Sequence, residues 1–277
     1  MARLLILTLS SGEAALPVLR RQLAQQTFRD IEHEVIAGLS NRAAHNRLYR
    51  TIMDRSNAFD LFLKLDAVMT LRSTTALADA VAVTDRRPDV QHFAFPVWDC
   101  FTEQETLGVH LFRSGVRWPP VTDELFVDPD PPDVNHLVWD GPPAPFVNHG
   151  EVVSDFECFS YGVHKFLKVA QRGRIRAGLP DNRNKHARHM ENCARIRDLY
   201  RQTRAGRHRL ALAGMMWAMQ HDDLSALSNK ADLQRVFDED VCRHEASWYE
   251  RVDRLSTSLV AWRLALVRSL GARRAFA

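Results

Sequence analysis

The sequence has few cysteines, no long apolar run and almost no excess of charge, and each shortage excludes a class of protein. Its four cysteines have unrelated spacings, which predicts free thiols in a reducing, cytoplasmic compartment rather than a disulfide framework. The longest apolar runs fall far short of the roughly 20 residues that cross a bilayer. The first run, residues 4–9, is also too short for a signal peptide. A net charge of only +3 argues against a nucleic-acid partner.

The first third of the chain alternates between apolar strands and helical patterns. At 277 residues and 45% hydrophobic, the chain can bury one sizeable core with a helical appendage. Strand, helix, strand, helix and strand are predicted in that order, at residues 4–9, 13–25, 31–39, 41–54 and 59–66. Ser40 or Asn41 is the predicted cap of the second helix. This order predicts a mostly parallel α/β sheet with helices on both faces.

Asp66 is the most informative residue of this region. The run from Phe59 to Leu71 is apolar and places one carboxylate, Asp66, where a buried strand should end. Open α/β sheets bind ligands just beyond the carboxyl ends of their strands, so an acid at this position is a candidate ligand-binding group. An aspartate that merely begins a turn would give the same pattern.

The order of these motifs resembles a known family. A first strand that ends in Ser10-Ser11-Gly12, a helix with Arg42-Ala43-Ala44-His45-Asn46, and a strand that ends in Lys64-Leu65-Asp66-Ala67 are similar to the nucleotide-binding half of family 2 glycosyltransferases of the GT-A fold. The resemblance covers roughly residues 3–128. It implies transfer of a sugar from a nucleotide-diphosphate donor to a hydroxyl of a glycan or lipid-linked saccharide, as in polysaccharide biosynthesis.

The resemblance also implies which side chains contact the donor. The donor-binding residues would be Ser10, Ser11, Glu13, Arg42, Asn46, Lys64 and Asp66. Each also has an ordinary structural interpretation: the serines form a common turn, Arg42 is a solvated helix residue, and Lys64 extends its ammonium from a strand towards water.

A divalent metal is part of the implied donor site, but one of its ligands is missing. Mg²⁺ or Mn²⁺ would offset the charge of the donor phosphates, with Asp66 as a ligand. The second carboxylate of the family's Asp-x-Asp pattern falls at Val68, which cannot coordinate a metal. Either Asp66 holds the metal with substrate phosphates, water and a distant ligand such as His149, or metal binding is weak, or the chain is an inactive relative.

A pair of acids further along the chain is the candidate general base. The segment Thr122-Asp123-Glu124-Leu125-Phe126 resembles the family's Glu-Asp motif with the order of the acids reversed. In inverting enzymes of that family one of the two takes the proton of the acceptor hydroxyl, and we expect Asp123 in this role with Glu124 as the alternate. Thr122 and the two acids would equally suit the first turn of a capped helix.

The rest of the chain is less specific. A helix is predicted at residues 74–83, strands at 92–98 (with Pro96 at an edge or a bulge) and 108–113, a long surface loop at 126–153, an amphipathic helix at 155–172 and further helices to the end. The expected regions are therefore a nucleotide-sugar-binding core at 1–128, an acceptor loop and helix at 129–175, and a helical region at 176–277.

Several alternatives stay open. Arginine clusters near residues 172–209 and 251–274 leave room for peripheral association with the inner face of a membrane, and the oligomeric state is open as well. A nucleotidyltransferase would need a phosphate-binding glycine-rich loop, which Ser10-Ser11-Gly12 supplies only faintly. Val68 keeps a non-catalytic nucleotide-sugar-binding relative in consideration.

Overall fold

The computed structural model describes residues 2–121, 131, 134–141, 145–170, 182–221 and 230–257. The strands are β1 (Leu4–Ser10), β2 (Ile31–Ala37), β3 (Leu61–Asp66), β4 (Met69–Leu71), β5 (His92–Asp99), β6 (Gln104–Arg113), β7 (His136–Val138) and β8 (Val147–His149). The helices are α1 (Leu16–Ala24), α2 (Asn41–Asp54), α3 (Ala76–Arg86), α4 (Asp155–Ala170), α5 (Asn182–Thr203), α6 (Gly206–Met219), α7 (Lys230–Val236) and α8 (Glu245–Thr257), with a π-helical turn at Phe237–Cys242. The described residues up to Val153 form one compact unit and those from Ser154 onward form a second.

The sheet of the first unit has the strand order β2-β1-β3-β6-β5-β8-β4, and β7 pairs with β5. The pairings β1–β2, β1–β3, β5–β7 and β5–β8 are parallel, whereas β3–β6, β5–β6 and β4–β8 are antiparallel. The predicted mixture of strands and helices is therefore confirmed, with parallel strands at the β2-β1-β3 end and antiparallel pairing at the centre. The predicted irregularity at Pro96 is also present, because the β5–β6 register shifts between Phe95 and Pro96.

Alternate residues of the strands face two separate cores, one on each side of the sheet. Leu4 and Ile6 of β1 pack with α1 and α3 in one core, whereas Leu5 and Leu7 pack with α2 in the other. Successive side chains of a strand point to opposite faces, so the continuous apolar run of β1 serves both cores. Helices thus lie on both faces, as predicted.

A glutamine of α1, Gln22, and one just after the helix, Gln26, hold the far edge of the sheet. Gln22 donates to the carbonyl of Leu71 at 3.0 Å and accepts from its N–H at 2.8 Å. The buried Gln26 donates to the carbonyl of Ser73 at 2.8 Å and accepts from the N–H of Leu77, at the start of α3, at 3.0 Å. The sheet therefore curls. Its last strand in spatial order, β4, is hydrogen-bonded to α1, the helix that follows β1 near the other end of the sheet.

The prediction of one long loop between residues 126 and 153 was wrong within the described part of that stretch. β7 pairs with β5, and β8 pairs with both β5 and β4. Proline and aspartate discourage regular structure locally, but the exposed edges of β4 and β5 offer backbone partners to short segments that local composition cannot reveal.

The second unit consists of helices among its described residues. α4 packs closely on α6, and both helices are largely buried where they meet: Phe159, Val163 and Phe166 of α4 and Met215, Met216 and Trp217 of α6 are each at most 6% exposed. The amphipathic character predicted for α4 is confirmed. Among the described residues no helix is long and apolar enough to cross a membrane.

Candidate functional site

The carboxyl ends of three parallel strands meet at one edge of the sheet. Ser10 at the end of β1 is in register with Ala37 of β2, and Leu9 is in register with Asp66 at the end of β3. The backbone N–H of Ala67 donates to the carbonyl of Leu9 at 3.0 Å, which fixes the chain just after Asp66 to β1. Two of the predicted donor-binding segments, Ser10–Glu13 and Lys64–Asp66, are thus neighbours in the fold.

The turn after β1 is held by the side chain of Glu13. Its carboxylate accepts from the Ser10 hydroxyl at 2.9 Å and from the Ser11 N–H at 2.7 Å. Gly12 has a φ of +95°, a conformation that favours glycine, and its N–H donates to Ser10 Oγ at 3.2 Å. Glu13 and Ser10 therefore shape the turn, while Ser11 and Gly12 are exposed.

Asp66 and Lys64 form an ion pair at the rim of the sheet. Lys64 Nζ lies 3.6 Å from Asp66 Oδ1, and the two side chains are 4% and 38% exposed. The two residues are i and i+2 on one strand, so both point to the α2 face of the sheet. Lys64 thus places a buried positive charge directly behind a carboxylate that solvent can reach.

Helix α2 begins at the same edge, because it follows the carboxyl end of β2. Ser40 is its cap: Ser40 Oγ accepts from the N–H of Ala43 at 3.4 Å, as one of the two predicted caps should. Arg42 lies exposed in its first turn. The positive end of the helix dipole and the exposed Arg42 side chain therefore both lie near this edge.

Asn46 holds the segment that leads to the candidate base. Its side-chain amide donates to the carbonyl of Val121 at 2.9 Å and accepts from the Val121 N–H at 2.8 Å. This pair of hydrogen bonds places the backbone two residues before Asp123 against α2. Asp123 and Glu124 themselves lie outside the described residues.

His149 lies on β8, away from the rim of β1 to β3 in strand order. It is opposite Met69 of β4, and its Nδ1 is 3.7 Å from Oδ1 of the fully buried Asp99. The turn between Asp66 and β4 reaches the same strand, because the N–H of Gly150 donates to the carbonyl of Val68 at 3.2 Å. Within the described residues no group of three or more His, Cys, Asp or Glu side chains is arranged so that it could hold a metal ion.

Sequence reasoning missed an acidic side chain that binds β4 and β8. Glu151 accepts from Thr70 Oγ1 at 2.5 Å and from Asn148 Nδ2 at 3.0 Å, and these two hydrogen bonds hold the pKa of its carboxyl below the usual value. Asp99, the partner of His149, was missed as well. Both depend on the pairing of β8 with β4 and β5, and the sequence pattern gives no signal for that pairing.

Comparison with known proteins gives little further guidance. No protein-family model and no curated protein matches the chain. A solved mannosyltransferase from Pyrobaculum calidifontis, in complex with GDP-Man and Mn²⁺, is similar over 97% of this chain and 87% of its own, with 13% sequence identity and a TM-score of 0.38. A likeness at this level carries no inference about this chain, so the function must be argued from the site.

Proposed function

We propose that this protein is a glycosyltransferase that moves a sugar from a nucleotide-diphosphate donor to a hydroxyl acceptor. The observation that carries the proposal is the Asp66–Lys64 pair at the carboxyl rim of parallel strands, with the Ser10–Gly12 turn beside it and the first turn of α2 at the same edge. Ligands of open α/β sheets bind at this edge. A diphosphate requires positive charge there, and Lys64, Arg42 and the amino end of α2 supply it.

A divalent cation would bind at this rim only together with the donor phosphates. Asp66 offers one exposed carboxylate, and Mg²⁺ commonly takes one or two protein carboxylates and completes its shell with phosphate oxygens and water. His149 faces Asp99 and would join only as a further ligand. When bound, the cation would stabilise the negative charge of the departing diphosphate.

The chemistry assigned to the chain's own residues is inverting transfer. The acceptor hydroxyl attacks the anomeric carbon and loses its proton to Asp123, or to Glu124 in its place, while the bond to the diphosphate breaks and its electron pair leaves with the phosphate. The Asn46 amide supports this role for Asp123, since it fixes Val121 to α2 at 2.8 and 2.9 Å. The acceptor we propose is a glycan or lipid-linked saccharide.

A non-catalytic nucleotide-sugar-binding protein is the second candidate, and two observations favour it. Val68 stands where a second carboxylate would coordinate the metal. The amide of Asn46 and the carboxylate of Glu13 are engaged by nearby backbone and hydroxyl groups. Such a protein would bind the donor through Asp66 and Lys64 without transfer.

Thermal shift with nucleotide diphosphates, with and without Mn²⁺, tests the donor site, because a ligand of the folded state raises the melting temperature. At least one of them should stabilise the wild type, and Asp66→Asn should abolish the stabilisation. Asp60→Asn is the matched control: Asp60 immediately precedes the opposite end of the same strand and accepts from the N–H of Arg3 at 2.7 Å, which an asparagine can also do.

The outcomes separate the two candidates. If Asp66→Asn and the wild type respond equally, the donor site is not at this rim. Donor hydrolysis or transfer by the wild type identifies an enzyme; binding without turnover, together with turnover gained in Val68→Asp, identifies a degenerate relative.

A further inference from the structure

Three histidines on neighbouring strands form one hydrogen-bonded chain. Nδ1 of His136 lies 2.9 Å from Nδ1 of His92, and Nε2 of His92 lies 2.9 Å from Nδ1 of His110. His136 is exposed, His92 is 1% exposed and its ring stacks on Phe112 with centroids 4.6 Å apart, and His110 is half-buried. The chain therefore runs from solvent into the sheet through one fully buried imidazole.

The inner end of this chain meets a buried cation. His110 and Lys64 are directly opposite each other in the antiparallel pairing of β6 with β3, so their side chains are neighbours on one face. Among the described residues, the titratable and charged groups on that face include Lys64 and Asp66 of β3, Glu32 and Glu34 of β2, and His45, Arg47, Tyr49 and Arg55 of α2. Additional positive charge at His110 would be repelled by Lys64.

The number of protons that the chain can hold follows from its hydrogen bonds. Each of the two contacts needs one N–H and one bare nitrogen, and a neutral imidazole carries one N–H. If His92 donates at one of its nitrogens, it accepts at the other, so only one of the two end histidines can be the donor towards it. If one proton is added to the three neutral imidazoles, at any of them, both hydrogen bonds can still form. If a second proton is added, one of the two hydrogen bonds is lost.

We propose that the chain His136–His92–His110 is an acid-sensitive element of the sheet, which holds one excess proton intact and opens when a second is forced on it. In the unfolded protein all three imidazoles are free and titrate near pH 6.5. The unfolded state therefore binds more protons than the native state, so stability rises with pH and is lost as the pH falls below this range. The proposal stands whether or not the rim binds a nucleotide sugar.

Proton uptake during urea unfolding of the full-length protein at pH 6, in unbuffered solution, tests the proposal directly. A free imidazole is about three-quarters protonated at this pH, so the wild-type chain should take up more than one proton from its three histidines. The triple variant His92→Phe/His110→Gln/His136→Gln keeps the stacking ring and removes all three imidazoles. Its proton uptake should be lower than that of the wild type by more than one proton, so its unfolding constant should change with pH by more than tenfold less per pH unit.

His33→Gln is the control for the loss of a single buried histidine. His33 contacts Thr8 Oγ1 at 2.9 Å outside the chain, and burial, with a smaller contribution from Arg20, lowers its pKa. Its removal can lower the uptake by at most about 0.75 proton at pH 6, the protonated fraction of one free imidazole.

A second variant covers the case in which the triple variant does not fold. His110→Gln with His136→Gln leaves the fully buried His92 in place, and two end histidines that bound protons independently would leave the uptake unchanged when removed. In the proposed chain the three imidazoles share at most one excess proton in the folded state, so loss of the two ends should lower the uptake by about half a proton or more. The proposal is overturned if the triple variant lowers the uptake no more than His33→Gln, or if the double variant leaves the uptake at the wild-type value.

Discussion

Lys64 is a charged side chain with 4% of its surface exposed, and it lies on β3, the strand that ends in the candidate metal ligand Asp66. A buried ammonium is costly to desolvate, and its attraction to one nearby carboxylate only partly offsets that cost. The residue is therefore hard to explain by stability alone. Its position behind Asp66 fits the phosphate-binding rim that we propose.

Lys64→Met tests this interpretation. Methionine fills a similar volume without charge, and Asp66 can be solvated once its partner is lost, so the free energy of unfolding should be unchanged or higher. Binding of a nucleotide diphosphate should weaken at least about tenfold, because a charge-assisted contact is lost from a poorly solvated site. Urea unfolding and calorimetric titration measure the two effects.

Lys165→Met is the control, since it makes the same substitution on α4, where Lys165 lies over the ring of Tyr161. It should leave nucleotide binding unchanged. A structural role for Lys64 is indicated instead if Lys64→Met unfolds more easily and its folded fraction binds the nucleotide as the wild type does.

The four cysteines have unequal reactivity because of their burial. Burial raises the pKa of Cys158 and of Cys193 to about 12, whereas Cys242 is exposed and Cys100 is half-buried. With a pKa of 12 roughly one thiol in ten thousand is ionised at pH 8, and only the thiolate reacts readily. Iodoacetamide at pH 8 should modify Cys242 first and leave Cys158 and Cys193 unmodified until urea is added. Mass spectrometry of the peptides gives the order, and early alkylation of Cys193 would contradict the burial of α5.

Among the helices, α4 and α6 meet through two glycines. A Cβ at Gly162 would lie 1.8 Å from the carbonyl oxygen of Ala211, and a Cβ at Gly214 would lie 2.0 Å from that of Phe159. Because both obstacles are backbone atoms, the helices would have to move apart. The two positions therefore set how closely α4 and α6 approach.

Gly162→Ala and Gly214→Ala should each lower the free energy of unfolding by about 3 kcal/mol or more, the upper end of the cost of overpacking. Gly206→Ala is the matched control at the start of α6, where a Cβ would have no atom within 4 Å. It should be neutral or stabilise slightly, because alanine restricts the unfolded chain and favours the helix. Urea unfolding compares the three variants, and equal stability of Gly162→Ala and Gly206→Ala would rule out the close approach of α4 and α6.

At the scale of the whole molecule, the chain has two compact units with their own buried residues. The cores on the two faces of the sheet are built from residues before Val153, and α4, α5, α6 and α8 contribute a separate set of buried side chains. Units with separate cores commonly unfold in separate transitions. This arrangement allows the two parts of the chain to be perturbed one at a time.

Scanning calorimetry should resolve two transitions. Gly162→Ala should lower the midpoint of one of them by several degrees and leave the other in place, and a nucleotide diphosphate should raise only the transition that the glycine variant leaves unchanged. A single transition that both perturbations move would show that the units unfold together.

The first half of the sheet could be predicted from the sequence, but its second half could not. β1, α1, β2, α2 and β3 follow one another with short connections, so apolar spacing and the Ser40 cap were sufficient to locate them and to place Asp66 at a strand end. β7 and β8 have three residues each and depend on partners far away in the sequence. For the same reason the Asn46–Val121 contact, 75 residues apart, and the Asp99–His149 contact could not be foreseen.

The connection between β3 and β4 has two residues, and both are fixed by backbone hydrogen bonds. Ala67 is tied to β1 and Val68 to Gly150, and β4 continues at once with Met69 and Leu71 in the core and Thr70 bonded to Glu151. One inserted residue would exchange the faces of all three side chains of β4, since side chains alternate along a strand. Evolution or a protein engineer can therefore alter the chemistry of this corner by replacing side chains, but not by lengthening it, and a second acid is a single codon change away at Val68.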